Sequence, residues 1–353
     1  MNLEQLWKKE AVRRRLNSTP LHLLALAAVA AYCVAISWRR WPDPIIDSGN
    51  DLYRAWRIAH GAVLYRDVGS HFGPLSQYSN AAIFALFGPG IMHLAWANLV
   101  VLGVILATLY CLLRRAWGGG AALLATALFV TVFGFEQSSY NYIAPYTQET
   151  THGLLTLLLL LAVLNQWLVN PGCLWSFFAG VFFGLTALLK TEFMFAAFLL
   201  ILAAVALRWQ SIRQFGSGCL AVLVTGAVLP TLLFVGYFAR HLSFRDSWMA
   251  AGHIWLNAPA MIALVRDPIQ LGFLGFDQPW AHLIQHTQAT LIAAAVIASV
   301  IALAKLADLQ GNRMRSIAVG ATTMVLVSGI AWWAIDWVNI GRCLLGLVLL
   351  YLP

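Results

Sequence analysis

The chain has 353 residues, of which 61% are hydrophobic and only 10% charged, and its mean hydropathy is +0.76. That composition excludes an ordinary soluble domain and points to a polytopic membrane protein. The formal charge of +8 does not argue for nucleic acid, because the basic residues sit in short clusters between apolar runs, where they set membrane orientation.

Residues 1–19 carry Lys8, Lys9, Arg13, Arg14 and Arg15. They are too polar and too long for a cleaved signal sequence and are expected to stay in the cytoplasm. Residues 21–38 form the first predicted span, close to the ~20 residues a bilayer core requires. Residues 39–90 then become the first outer loop, and the charge of the chain gathers there: residues 41–78 hold Asp43, Asp47, Asp51 and Asp67 together with Arg54, Arg57, His60, Arg66 and His71. Asp47, Ser48 and Asn50 are good helix starters. Leu52, Ala55, Trp56 and Ala59 recur at i, i+3, i+4 and i+7, with Asp51, Arg54 and Arg57 on other faces, so the spacing predicts an amphipathic helix lying in the membrane interface. Gly73-Pro74 supplies a turn with the proline near the start of the next helix.

The apolar run at 75–87 is short and contains Gln77, Tyr78, Ser79 and Asn80, so it reads as a second interfacial helix and not as a span. Residues 91–113 are a full span followed by Arg114 and Arg115, which belong in the cytoplasm; that requires no crossing between Trp38 and Gly90. Further spans are predicted at 119–135, 148–168, 173–190, 192–207, 217–239, 288–306 and 316–335, which put Arg208, Arg213, Lys305, Arg313 and Arg315 inside. The expected architecture is all-α: one transmembrane helical bundle of about nine or ten spans over residues 1–353. The long loops, including 240–287 with short helices around 247–255 and 259–265, fall on the outer side, which is therefore the expected working face. The last stretch, 344–353, is half a span, as expected of a partial sequence.

Cys33, Cys111, Cys173, Cys219 and Cys343 show no ligand spacing, which argues against a zinc site or a disulfide framework. Asp47 and Asp51 are four residues apart and share a face if the helix starts early. Asp47 reads equally as a helix cap and as a general base, and Asp51 as the partner of Arg54. His71 reads first as a hydrogen-bonding loop histidine. In the second outer loop Tyr140, Tyr142 and Tyr146 with Asn141 suit either a sugar or a membrane-surface aromatic belt. Glu149 and His152 lie at the rim of the next span, where ionisable groups usually face a cavity. Lys190 and Glu192 separate two apolar runs; each would cost about 2.5–3.5 kcal/mol at a bilayer centre, so they are expected at an outward hairpin, either pairing with each other or facing the first loop.

The ordered set Asp47-Ser-Gly-x4-Arg-Ala-Trp-Arg-Ile-Ala-x-Gly-x3-Tyr65-Arg66-Asp67, then Gly-Pro-Leu, Tyr142-x2-Pro-Tyr146-x2-Glu149-x2-His152 and Gly-Leu-x3-Leu-Lys190-x-Glu192 resembles GT-C glycosyltransferases of the protein-mannosyltransferase and aminoarabinose-transferase kind over residues 38–195. The resemblance implies an integral protein of a bacterial inner membrane, working at the periplasmic face. It implies transfer of a sugar from a polyprenyl-phosphate donor to a lipid, glycan or protein acceptor, with Asp47 as catalytic base. Ser48 stands where that family commonly has an acidic residue, which leaves Asp51 as a rival. The residue types suit this chemistry independently: an inverting displacement needs a carboxylate to take the acceptor's proton and cations, here Lys190 or the loop arginines Arg54, Arg57 and Arg66, to meet the departing phosphate. No cofactor is expected, and a divalent metal stays open. The competing reading is a transporter or lipid flippase of the cell envelope, although the chain shows no repeat in two halves.

Overall fold

A computed structural model describes residues 19–39, 47–135, 142–145, 147–207 and 217–256, with short pieces between residues 277 and 288. Among these residues every regular element is helical, apart from one isolated bridge between Leu64 and Val68. The order is α1 (Thr19–Ser37), α2 (Asp47–Ala59), α3 (Pro74–Phe87), α4 (Ile91–Trp117), α5 (Gly119–Phe129), α6 (Gln148–Val169), α7 (Cys173–Ala187), α8 (Thr191–Leu207), α9 (Ser217–Phe238), α10 (Phe244–Ala251) and α11 (His253–Leu256). The chain divides into two units after Ala258, and all of these helices belong to the first.

Among the described residues four helices are long and apolar enough to cross a membrane: α1, α4, α6 and α9. These residues are thus those of a helical membrane protein. Of three further apolar helices among the described residues, α8 has 17 residues and matches the expected span at 192–207, whereas α5 and α7, with 11 and 15, are shorter than the expected spans at 119–135 and 173–190. Both shortenings have local causes. After Phe129 the chain widens into a π turn over Val130–Gly134, and α7 stops at Ala187 because the next two carbonyls turn outward to bond the first loop, as described below. The expected short helix at 259–265 and everything from residue 289 onward, including the spans at 288–306 and 316–335, lie outside the described residues.

Two packing regimes hold the first unit together. α7 packs on α9 more extensively than any other pair. A Cβ at Gly180 would collide with the carbonyl of Leu223, one at Gly184 with that of Ala227, and one at Gly226 with that of Phe177. These glycines let two backbones touch along successive turns, the small-residue mode by which helices associate where lipid removes any hydrophobic drive. Around them Leu160, Leu164, Trp167, Ala179, Ala197 and Ala204 form an apolar cluster shared by α6, α7 and α8.

The first loop is built differently. α2 has the alternating faces of an amphipathic helix, but the face turned inward carries Asp51, Ala55 and Ile58. The spacing had assigned Trp56 to the apolar face and Asp51 elsewhere; Trp56 is 40% exposed and Asp51 3%. Tryptophan's amphipathic ring is suited to a membrane surface, whereas Asp51 goes inward because partners wait for it there. α3 starts with Pro74 as its first residue, as Gly73-Pro74 predicts. At 14 residues it is too short to cross a bilayer, and it buries Ser76, Gln77 and Asn80 beside Ala81 and Phe84.

This loop lies at the end of the helices where α4 and α6 begin and α7 and α9 finish. Ala55 and Phe84 pack on Leu94 of α4. Ile58, Val63, Leu64 and Ala81 pack on Val235 and Phe238 of α9 and on Ala250 and Ala251 of α10. The link to α7 is made by backbone: Gly73 N–H donates to Leu189 O (2.9 Å) and Leu75 N–H to Leu188 O (3.2 Å). Only glycine fits at residue 73, since a Cβ there would run into Leu188 O.

Candidate functional site

Where α2, α4 and α6 converge, the inward face of α2 meets polar groups instead of hydrocarbon. Asp51 Oδ1 accepts from Arg54 Nη1 (2.9 Å) and from Gln77 Nε2 (3.0 Å), and Oδ2 accepts from the backbone N–H of Gln148 (3.3 Å). The second Gln77 amide hydrogen goes to Glu149 Oε1 (2.8 Å), so a single side-chain amide from α3 bridges a carboxylate of α2 and one of α6. Glu149 is fully buried; its Oε2 has no hydrogen-bond partner, nor do Gln77 Oε1, Asn80 Nδ2 and Thr151 Oγ1. Burial pushes the Asp51 carboxyl above the usual carboxylate range, and the Arg54 guanidinium together with the bonds from Gln148 and Gln77 offsets only part of that.

The frame around the pair is fixed by more side-chain amides. Asn98 of α4 donates through Nδ2 to Ile143 O (2.9 Å) and to Gln148 Oε1 (3.0 Å), tying the 142–145 segment and the first turn of α6 to α4. Arg54 Nε donates to Gly69 O (2.8 Å), so the arginine that partners Asp51 also holds the returning loop. One turn along α6, His152 Nδ1 lies 2.8 Å from Ser76 Oγ, Ser76 being buried and His152 half-buried.

Asp51 also borders a cavity of about 190 Å³ that opens beside the start of α2. Its polar lining comes from Arg39, Ser48, Asp51 and Gln148, and its apolar walls from Leu52, Ile91, Leu94, Ile143, Ala144 and Pro145. Arg39 follows α1 with φ at 61°, in the left-handed region that non-glycine residues rarely occupy. Such strain persists only where the surroundings impose it, and it is commonest at sites that do something. A carboxylate biased toward holding a proton, a guanidinium in the lining and apolar walls from α2, α4 and the segment before α6 suit a ligand with an anionic group, hydroxyls and a greasy portion.

The other residues singled out in the sequence distribute unevenly. Asp47 is the first residue of α2, one turn ahead of Asp51. Arg57 reaches the Tyr53 hydroxyl (2.8 Å) on the exposed side of α2. Tyr65, with φ at 67°, donates its hydroxyl to Phe72 O (2.6 Å) and stacks on His253, so it shapes the loop. Arg66 pairs with Asp67 (2.8 Å), which holds that exposed carboxyl down at about 2, and also donates to His241 O. His71 is exposed. Tyr142 packs against Phe129, and burial lifts its hydroxyl to about 12. Lys190 pairs with Glu192 (3.0 Å) and sits 5.0 Å above the Phe72 ring. Asn141 and Tyr146 lie outside the described residues. Among the described residues no group of three or more His, Cys, Asp or Glu is placed to hold a metal ion.

Sequence reasoning missed Arg39, Gln77, Asn98 and Gln148. Arg39 lies just past the first predicted span and was not singled out. Gln77 was visible as a polar intruder in an apolar run and was used only to argue that the run does not cross. Compared with known proteins, this chain finds no counterpart: no family model, no curated protein and no solved structure matches it.

Proposed function

We propose that this protein is a membrane glycosyltransferase that moves a sugar from a polyprenyl-phosphate donor to a hydroxyl of a lipid, glycan or protein acceptor at the outer membrane face. The observation that carries the reading is the cavity at the start of α2, where Arg39 and Asp51 face a space walled by apolar residues of α4 and of the segment before α6. A polyprenyl phosphate has that composition: hydrocarbon for the lipid-side walls, a phosphate for a guanidinium and sugar hydroxyls for Ser48, Asp51 and Gln148.

In this reading the acceptor oxygen attacks the anomeric carbon, the bond from that carbon to the phosphate oxygen breaks, and the acceptor's proton passes to a carboxylate on α2. Asp51 has three hydrogen bonds committed to the fold. It therefore serves as the fixed acid that orders the pocket, while Asp47, one turn nearer the open end of α2, takes the proton. Arg39 stabilises the departing phosphate, a role for which sequence alone had offered Lys190 or the arginines of the loop. Each such charge stabilisation acts in a poorly hydrated site, where it is worth more than in water.

The test is transfer in vitro. Purified protein is incubated with radiolabelled polyprenyl-phosphate sugars and membrane extract, and label is followed into product. Transfer that requires Asp47 and falls in Arg39→Ala supports the reading. Uptake of label into vesicles without any covalent product would reassign the protein to transport.

A further inference from the structure

Cys173 and Cys219 open α7 and α9, and their Sγ atoms lie 2.9 Å apart. Both are free thiols; Cys173 is exposed and Cys219 partly so. The approach is imposed by the helix pair, because Gly180, Gly184 and Gly226 bring the two backbones into contact from the turns just after the cysteines onward. It is also fixed from the other side. Ser176, in the first turn of α7, donates to Gly172 O (3.1 Å) and accepts from Trp167 Nε1 of α6 (3.1 Å), so the start of α7 cannot swing away from its neighbours.

We propose that Cys173 and Cys219 form an oxidisable pair, a modification site at which a disulfide staples α7 to α9. The oxidant is a small-molecule disulfide. One thiolate attacks a sulfur of that disulfide and releases the first reagent thiol. The other thiolate then attacks the protein sulfur of the mixed disulfide and releases the second. Two protein thiols are oxidised, one reagent disulfide is reduced to two thiols, and the two protons end on the released thiolates. The sulfurs must close to about 2.05 Å, a sub-ångström movement of side chains between helices already in contact. Arg208 and Arg213, just ahead of α9 in sequence, assign this end of the helices to the cytoplasm by the positive-inside rule, where the resting form is the dithiol. The bond would close a loop of chain that contains the 188–190 turn, on which the first outer loop is docked.

The experiment uses the full chain in native membranes, treated with oxidised glutathione, quenched with N-ethylmaleimide and digested for mass spectrometry. The expected result is joint loss of the alkylated Cys173 and Cys219 peptides and appearance of one linked peptide, lighter than their sum by the two hydrogens lost and split again by dithiothreitol. Exposed Cys111 stays alkylated and serves as the internal control. In C173S, Cys219 should become alkylable again or carry glutathione, and in C219S the same should hold for Cys173. The wild type should also show a higher unfolding midpoint after oxidation, a shift absent from both variants. Independent alkylation of both thiols after oxidant, or linkage of either one to Cys33, Cys111 or a second chain, would overturn the proposal.

Discussion

The α2–α3 loop and the α7–α9 helix pair solve the same problem, holding chain segments together beside a membrane, with opposite materials. α7 and α9 are joined by what is missing, since three absent side chains let backbone lie on backbone. The loop is joined by what is added: carboxylates, amides and a guanidinium that would each be costly to bury alone and that are linked in a chain from Arg54 through Asp51 and Gln77 to Glu149, with Gln77 Oε1 and Glu149 Oε2 left over. Contact by packing tolerates little change in volume and is indifferent to pH. A polar network is indifferent to small changes of volume and sensitive to every proton. The region that holds the candidate site is the second kind, built from groups whose charge can change.

The sharpest way to break the comparison is to change chemistry without changing either kind of contact. Asp47→Asn keeps a residue that starts helices well, so the protein should melt normally, and under the proposed function transfer should fall about 10²-fold or more at equal donor occupancy. Normal turnover in Asp47→Asn with collapse in Asp51→Asn would hand the base role to Asp51. Next in size, Gly180→Val should cost about 1–3 kcal/mol or more, because the new side chain meets a backbone carbonyl that cannot move aside; thermal unfolding in detergent reads it, with no dependence on pH. Gln77→Leu should cost about 1–3 kcal/mol by leaving both carboxylates without their shared donor, and unlike the glycine change its cost should vary with pH.

A pH series on Asp51 sharpens the same point. Burial raises its carboxyl in the folded protein, so folding favours the protonated acid; that contribution is present at acid pH and is lost as pH rises through the raised native value. Unfolding midpoints measured from about pH 4 to 8 should therefore fall more steeply in the wild type than in Asp51→Asn. The smallest effect belongs to Lys190→Ala. Its partner Glu192 is 64% exposed, so the pair is worth at most about 1 kcal/mol and the melting point should barely move. Donor affinity measured in the same variant tells whether Lys190 has any task beyond that pair.

Much of the scaffold was legible in the sequence. The apolar runs delimit α1, α4, α6 and α9 to within a few residues, Asp47 starts α2, and Gly73-Pro74 marks the entry to α3. These are local signals of hydropathy and turn chemistry, and they need no knowledge of neighbours. The site was only half legible for a complementary reason. Asp51 could be picked out as the partner of Arg54 and Glu149 as a charge at the rim of a span, but the residue that joins them is 26 residues from one and 72 from the other, and glutamine carries no periodicity or motif that announces a bridging role. The rotation of α2 was misjudged on the same ground: Trp56 scores as apolar and Asp51 as polar, while a ready-made set of donors reversed the order. The neighbouring thiols of Cys173 and Cys219 were equally invisible, since 46 residues separate them and no spacing rule connects cysteines on different helices.

The junction between Gly73 and the 188–189 turn has one more consequence, which concerns how the protein can vary. The hydrogen bonds from the turn to the loop are accepted by main-chain carbonyls, so they do not depend on which apolar side chains stand at 188 and 189, whereas the loop must keep a residue without a Cβ. The two halves of one contact are thus under unequal constraint. Among relatives of this chain, residue 73 should stay glycine while the fully buried residues 188 and 189 vary among apolar types, and pairwise covariation would miss the contact although it positions Lys190, the next residue, above the Phe72 ring.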